Sequence, residues 1–506
     1  MKIPQLCTAL LTLALMLGSC SRPTVPAEST PVNETAAIYP DYHGVTVPPN
    51  IAPLNIRIMA AGSEFVAALE GGGYSLVATA GRDGKLRFDA DEWHALLEAS
   101  RGDSVRVQLY ARREGGWVRF PAYGFAVAPE PIDRYLSYRL IEPGYELYRQ
   151  LGIYQRDLST FEEKAIYENN RSYDPDNNHC INCHNFQQNK ASTFLFHVRA
   201  AHGGTVFVRD GKISKVDIKG DSLLAGAVYP AWHPTKPWVV FSSNQTGQAF
   251  PIAGGQKTEV LDYGADLIFY DAERNSVRNI FRTDTLFETF PCWTPDGGRL
   301  FYCSASLPYV AGLTGTARID TVLKHHRTIR NDLMSVPFDA RTGRFGTPRT
   351  EYAAAARGKS VTLPRVSPDG RYVLFGMADF GQFHIWHESS DLYVKDLRTD
   401  SVYALTAANA PGPDSYHAWS SNGRWIVFAS RRDDGSYSRL YIAYFGRDGR
   451  ARKAFLLPQP DPDDNLLRMK SYNVPELTKD AVTVTPEQLR DVIYGTEGSK
   501  ATYDRR

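Results

Sequence analysis

Short runs of alternating apolar and polar residues, cut by Gly-, Pro- and Asp-rich turns, recur along most of this chain of 506 residues. They predict a mainly β protein. Between residues 44 and 132 the runs are Asn55 to Met59, Glu64 to Leu69, Tyr74 to Thr79, Val105 to Tyr110, Trp117 to Phe120 and Gly124 to Val127. One helical stretch, Ala90 to Ala99, begins after Asp89. The spacing of the strands predicts an N-terminal β-sandwich domain of immunoglobulin-like type.

Residues 133 to 193 break the pattern. Tyr135 to Tyr154 is rich in Tyr, Leu and Arg and is interrupted by Pro143-Gly144, and Asn169 to Asn189 is polar and loop-like. This segment reads as a linker. From 194 the chain repeats itself. Tyr229-Pro-Ala-Trp232-His233-Pro234, Phe290-Pro-Cys-Trp293-Thr-Pro295-Asp296-Gly297, Leu363-Pro-Arg-Val366-Ser-Pro368-Asp369-Gly370 and Tyr416-His-Ala-Trp419-Ser-Ser421-Asn422-Gly423 are four copies of one hairpin. Each is followed by an apolar strand and then a second strand pair beginning near Asp266, Asp332, Asp391 or Arg439. Four strands per unit, repeated, predict propeller blades. Phe194 to Lys219 reads as a fifth, and Leu466 to Val474 as a strand that returns to close the ring. The propeller is therefore expected over 194–475, with a tail over 476–506. The tail holds the helix-prone Pro486 to Ile493 and a polar end expected to be disordered.

Composition changes little. Hydrophobic residues make up 43% and charged residues 22%, enough apolar side chain for two or three domains. A net charge of +1 argues against a nucleic-acid-binding protein. The first residues are a targeting signal: Lys2, the apolar Leu10 to Leu17, then Leu17-Gly18-Ser19-Cys20, which matches a bacterial lipobox. Residues 1–19 are expected to be cleaved and Cys20 to take lipid, anchoring the mature chain to a membrane. Residues 20–43, rich in Pro, Thr, Ala and Glu, read as a flexible tether.

The cysteines carry the chemistry. Cys180-Ile181-Asn182-Cys183-His184 spells C-x-x-C-H, the attachment signature of a c-type haem. Two thiols at this spacing add to the two vinyl groups of one porphyrin, and the adjacent histidine reaches the iron. A short helix starting near Cys180 would place both thiols on one side. Three other readings stay open: a redox-active disulfide, half a zinc site, or a structural pair in a loop. No thioredoxin-like setting supports the first, and no second C-x-x-C or spaced His pair completes the second. For the iron's other face His197 is the favoured candidate, with His202, His387, His417 and Met469 behind it. Cys292 and Cys303 flank a turn and are candidates for a disulfide. Asp461, Asp463 and Asp464 read as a solvated loop. No G-x-S-x-G, P-loop or H-E-x-x-H is present.

The P-x-W-S-P-D-G type blades resemble the TolB-like (WD40-like, PD40) β-propeller over roughly half of the chain. A propeller of this type beside C-x-x-C-H resembles exported, haem-binding, TolB-like lipoproteins of Bacteroidetes-type bacteria. Related propellers occur in multi-haem enzymes such as hydrazine synthase, which have several haem sites where this chain has one motif. The resemblance implies a periplasmic, outer-membrane or surface protein carrying one haem c, in electron transfer or haem-linked redox chemistry, with a protein or redox partner at the propeller face. The competing expectation is a non-catalytic platform that binds a protein or glycan, in which C-x-x-C-H is structural.

Overall fold

The structure, a computed structural model, describes residues 23–143, 149–172, 179–252, 256–495 and 497–505. The expected signal peptide and Cys20 lie outside the described residues. Six sheets, each with at least four strands, stand around one axis and form a six-bladed β-propeller. From the axis outward, the second blade runs His179–Phe186, Thr193–Ala200, Gly204–Arg209 and Lys212–Asp217. The inner strands of the third to sixth blades are Ala227–Trp232, Leu286–Trp293, Ser360–Val366 and Asp414–Trp419. These four are the hairpin copies read in the sequence.

The first blade corrects the sequence reading. Its three outer strands are Tyr135–Ile141, Leu151–Asp157 and Glu163–Glu168, all inside the expected linker. Its inner strand is Ser471–Thr478, from the far end of the chain, paired antiparallel to Tyr135–Ile141. The expected closing strand is thus present, a few residues later than placed. Tyr135–Ile141 is buried on both faces, Ser137 and Arg139 included, so apolar and polar residues do not alternate along it. The C-x-x-C-H motif is not in a loop or helix either: it lies in the strand His179–Phe186.

The tail is ordered where described. Pro486–Gly495 is a helix that buries Leu489 and Ile493 against the first two blades. Ser499–Lys500 and Thr502–Tyr503 add short parallel edge strands to the second and third blades. Among the described residues no helix is long and apolar enough to cross a membrane.

Before the propeller stands a small β-domain whose strands follow the predicted runs closely. Its helix Ala90–Ala99 is capped by the Asp89 carboxylate, which accepts from the Asp91 and Glu92 amides. A seven-stranded sheet, a three-stranded sheet and a helix packed on the larger one do not establish the immunoglobulin topology. The expected tether is partly built in. Thr30–Pro31 pairs with Val118–Arg119, Ile38–Tyr39 pairs with Arg57–Ile58, and Tyr42 is buried with its hydroxyl donating to the Leu456 carbonyl. The acidic run expected as a solvated loop is a clasp to this domain: Asp461 pairs with Lys85 and Arg87, and Asp463 with Arg57 and Lys85.

Ring closure depends on Ser471–Thr478, so its core side chain is worth testing. Leu477 is 1% exposed within that strand, whereas Leu467 just before it is 75% exposed. Leu477→Ala is expected to lower unfolding stability by about 2–5 kcal/mol, and Leu467→Ala by less than about 0.5 kcal/mol. Denaturant midpoints measure both, and equal shifts would contradict the closure assigned to this strand.

Candidate functional site

One backbone feature repeats six times at the axis. Each inner strand holds one residue in the left-handed region: Cys183, Tyr229, Phe290, Leu363, Tyr416 and Val474, at φ between 45° and 55°. At each, the register to the next strand shifts, so the inner strand bulges. The following residue is proline in four blades (Pro230, Pro291, Pro364, Pro475) and histidine in two, His184 and His417. Cys183-His184 therefore occupies the place of the aromatic-proline and leucine-proline pairs elsewhere.

These six residues meet around the waist of the central channel. Cys183, Tyr229, Phe290, Leu363, Tyr416 and Val474 line a void of about 20 Å³ together with His184, Arg365 and Glu476. A void of this size has room for about one water. On one side of the waist a funnel of about 590 Å³ opens between the blades, with Cys183, Tyr229 and Tyr416 among its lining residues. Cys183 thus lines both cavities. Arg139, Arg199, Lys257 and Arg431 also line the funnel, as do Phe383 and Trp386. On the other side a shallower mouth of about 150 Å³ is lined by Glu476, Arg365, Cys292 and the tryptophans 232, 293 and 419.

Those tryptophans are positioned by the same repeat. Trp232, Trp293 and Trp419 each donate their indole N–H to a carbonyl on the neighbouring blade's inner strand: Asn185, Ala231 and Arg365, at 3.2, 3.2 and 3.0 Å. Each acceptor lies two residues after the left-handed position, so the bulge aims the carbonyl at the next blade.

The motif residues are buried. Cys180 and Cys183 are each 6% exposed and are free thiols. The Arg139 guanidinium donates to Asn182 Oδ1 at 2.9 Å and to Cys180 Sγ at 3.6 Å. His184 is 2% exposed, and neither of its ring nitrogens has a hydrogen-bond partner. The Val474 carbonyl approaches the ring without meeting hydrogen-bond geometry. Burial, with help from the Arg139 charge, pushes the His184 imidazole down to about 3, so it is neutral at physiological pH. A neutral imidazole with no polar partner and two free thiols form the donor set that covalent haem requires. The funnel is the larger of the two cavities that Cys183 lines. Of the three motif residues only Cys183 lines the funnel, while His184 lines the small waist and Cys180 lies in the core beside Arg139.

The other sequence candidates lie elsewhere. His197 stands opposite Asn182 on the next strand, but its Nδ1 is bonded to Thr205 Oγ1 at 2.9 Å and its ring packs near Phe241 of the third blade. It lines a separate cavity between the second and third blades, not the funnel or the waist. His387 pairs with Glu259 at 3.0 Å, linking the fifth blade's loop to the third blade's long hairpin. His417 Nε2 donates to the Leu363 carbonyl at 2.7 Å. Met469 is exposed.

Cys292 and Cys303 are not bonded. Thr289 faces Cys303, but the bulge at Phe290 shifts the register, so Cys292 faces Phe301. Spacing alone could not reveal this shift. Sequence reasoning also missed Arg139, Arg431, Arg365 and Glu476; only the recurrence of the bulge at Val474 and Leu363 would have placed the last two.

No family model and no curated protein matches this chain. Solved structures similar to it include an oligogalacturonate lyase in complex with manganese, 11% identical, with a TM-score of 0.35 over 63% of this chain and 73% of that one. Hydrazine synthase of Kuenenia stuttgartiensis is 12% identical, with a TM-score of 0.41 over 69% of this chain and 48% of that one, so the match spans about half of that chain. A chain of a nidogen/laminin complex is 8% identical, with a TM-score of 0.39 over 68% of this chain and 100% of that one. Likenesses this remote carry no argument about activity. The class is defined by the chain's own sheets: a β-propeller of six blades, closed by the late strand Ser471–Thr478.

Two outcomes follow from this geometry. Burial lifts the Glu476 carboxyl from its ordinary 4.5 to about 7, against the opposing hydrogen bonds from Asn185 and the Phe186 amide. Between those values the unfolded chain releases the proton and the folded chain keeps it, so stability falls as pH rises through that window. Glu476→Gln removes this loss. Its melting temperature should gain on the wild type from about pH 5 to about pH 7 and run parallel above; parallel curves throughout would contradict the assignment. Thiol titration of a denatured, unreduced Cys180→Ser, Cys183→Ser variant should find Cys292 and Cys303 both free, and a deficit of two thiols there would restore the disulfide.

Proposed function

We propose that this chain is a TolB-like, lipid-anchored propeller of the bacterial cell envelope, of the kind found in Bacteroidetes-type bacteria. It carries one covalent haem c and serves in electron transfer or haem-linked redox chemistry. The observation that carries the reading is His184: a buried imidazole without a hydrogen bond, following two free thiols in the same strand and lining the waist. Cys180 and Cys183 would hold the porphyrin by thioether bonds and His184 would be the proximal iron ligand. The group supplies one-electron chemistry when bound. The chain's own part is to keep His184 neutral by burial and to surround the group with aromatic and cationic side chains. The lipid on Cys20 would tether the protein, leaving the propeller face for a redox or protein partner.

A second reading rests on one specific observation. His184 holds the position that His417 holds in the sixth blade, and His417 donates to the left-handed residue of the blade before it, Leu363. The corresponding carbonyl for His184 is Val474, the acceptor that approaches its ring. By this reading Cys183-His184 is a variant of the axial bulge, and the propeller is a non-catalytic platform for a protein or glycan partner.

Expression in a host that matures c-type cytochromes separates the two. The first reading expects a Soret band and a haem-stained band that survives denaturing electrophoresis, with both lost in a Cys180→Ser, Cys183→Ser double variant. Unstained protein of native stability would sink it and leave the platform. With haem attached, denatured protein should show two titratable thiols rather than four.

A further inference from the structure

The funnel has an imbalance of charge that its own side chains do not resolve. Among the described residues Arg139, Lys257 and Arg431 line it, against a single carboxylate, Glu142. Glu142 is already paired with Lys470 at 2.6 Å. Two of the arginines are buried, Arg139 at 9% exposure and Arg431 at 5%. Among the described residues neither has a carboxylate within ion-pair distance. Arg431 donates to the Ile385 carbonyl at 3.0 Å and to the Ser436 carbonyl, and its guanidinium lies 3.4 Å from the centre of the Trp386 ring. Arg139 spends its donors on Asn182 and Cys180, and its Nε has no partner. Burial lowers Arg431 to about 9, and the charge of Asp434, beyond ion-pair distance, offsets only part of that.

A buried guanidinium without a counter-ion is strongly unfavourable, and removing one partner of a buried pair is among the costlier changes in a protein. Here two such cations face one cavity, from the first blade and the neighbouring sixth. Tyr229, Phe383, Trp386 and Tyr416 supply apolar wall, with Phe383 and Tyr416 packed edge to face at 5.6 Å. Planar donors that match carboxylates bidentately, set among aromatic rings, select for a molecule with an apolar body and oxyanion ends.

We propose that the funnel binds an apolar organic molecule bearing two or more carboxylates, with Arg139 and Arg431 as their counter-ions. Two sources present this chemistry. One is the carboxylate pair of a porphyrin attached at Cys180 and Cys183, in which case the inference rests on the haem reading above. The other is a free polycarboxylate ligand of a chain without haem.

The test uses the full mature chain in detergent, made in cells without haem-attachment machinery. It is titrated by fluorescence with protoporphyrin IX, which has two carboxylates, and with its dimethyl ester, which has the same body and none. The acid should bind about tenfold or more tighter than the ester, the effect of charge-assisted hydrogen bonds. Arg139→Gln and Arg431→Gln should each weaken the acid about tenfold and leave the ester unchanged. Unchanged ester binding also certifies that the variants are folded. Equal binding of acid and ester, no binding of either, or variants that bind the acid like the wild type would overturn the proposal.

Naphthalene-2,6-dicarboxylate then assigns the source. If it binds the haem-free chain but is excluded from the haem-loaded protein, the attached porphyrin's carboxylates fill the site. If it binds both with the same arginine dependence, the ligand is a free polycarboxylate. A chain that never takes up covalent haem removes the haem reading, while the titrations still decide the funnel.

Discussion

Six left-handed residues at the axis set the geometry of this propeller. None is glycine, and Leu363 and Val474 are bulky apolar residues for which this region is costly. Each position stores roughly 1–3 kcal/mol of backbone strain. The strain is tolerated because each residue sits on an inner strand with a ladder partner on one side only, where a bulge breaks few hydrogen bonds. Four of the next residues are proline, which has no N–H to lose. The bulge also aims a carbonyl at the tryptophan of the following blade, so strain at the axis is coupled to packing between blades.

That constraint explains what was legible in the sequence and what was not. The blades whose inner strands read aromatic-proline or leucine-proline, and then a Pro-Asp-Gly type turn, announce themselves. The blade at His179–Phe186 has the same bulge but the residues Cys183-His184 in its place, and among neighbouring Asn and Asp it reads as a loop. The first blade is hidden for another reason. Its inner strand follows its outer strands by some three hundred residues, and no local pattern reports a partner that distant. Cys292 and Cys303 show the same limit: turn length sets the register of a regular hairpin, but not of one with a bulge two residues from a cysteine.

The buried ionisable groups divide the channel. On the funnel side the unpaired charge is positive, from Arg139 and Arg431. At the waist and the opposite mouth stands Glu476, with a carboxyl raised to about 7. Burial also raises Glu288, on the fourth blade's inner strand, to about 8, and Asp262, on the third blade's long hairpin, to about 7. Glu142, the described carboxylate that lines the funnel, is paired with Lys470, which favours a counter-charge brought to the arginines from outside.

Chain order bears on how the motif is covered. Cys180 and Cys183 lie on the second blade's inner strand, whose first-blade neighbour at the axis is Ser471–Thr478. That strand also fastens the segment after the motif: Glu476 accepts from Asn185 and Phe186, and Asn189 donates to the Leu477 carbonyl. The motif itself is also covered by chain that precedes it: Arg139 donates to Asn182 and Cys180, and Cys180 packs with Leu151, Ile153, Ile166 and Tyr167, so the burial of the thiols does not depend on that strand alone. Under the platform reading, the same strand completes a plug in which Cys183 is the smallest of six axial side chains.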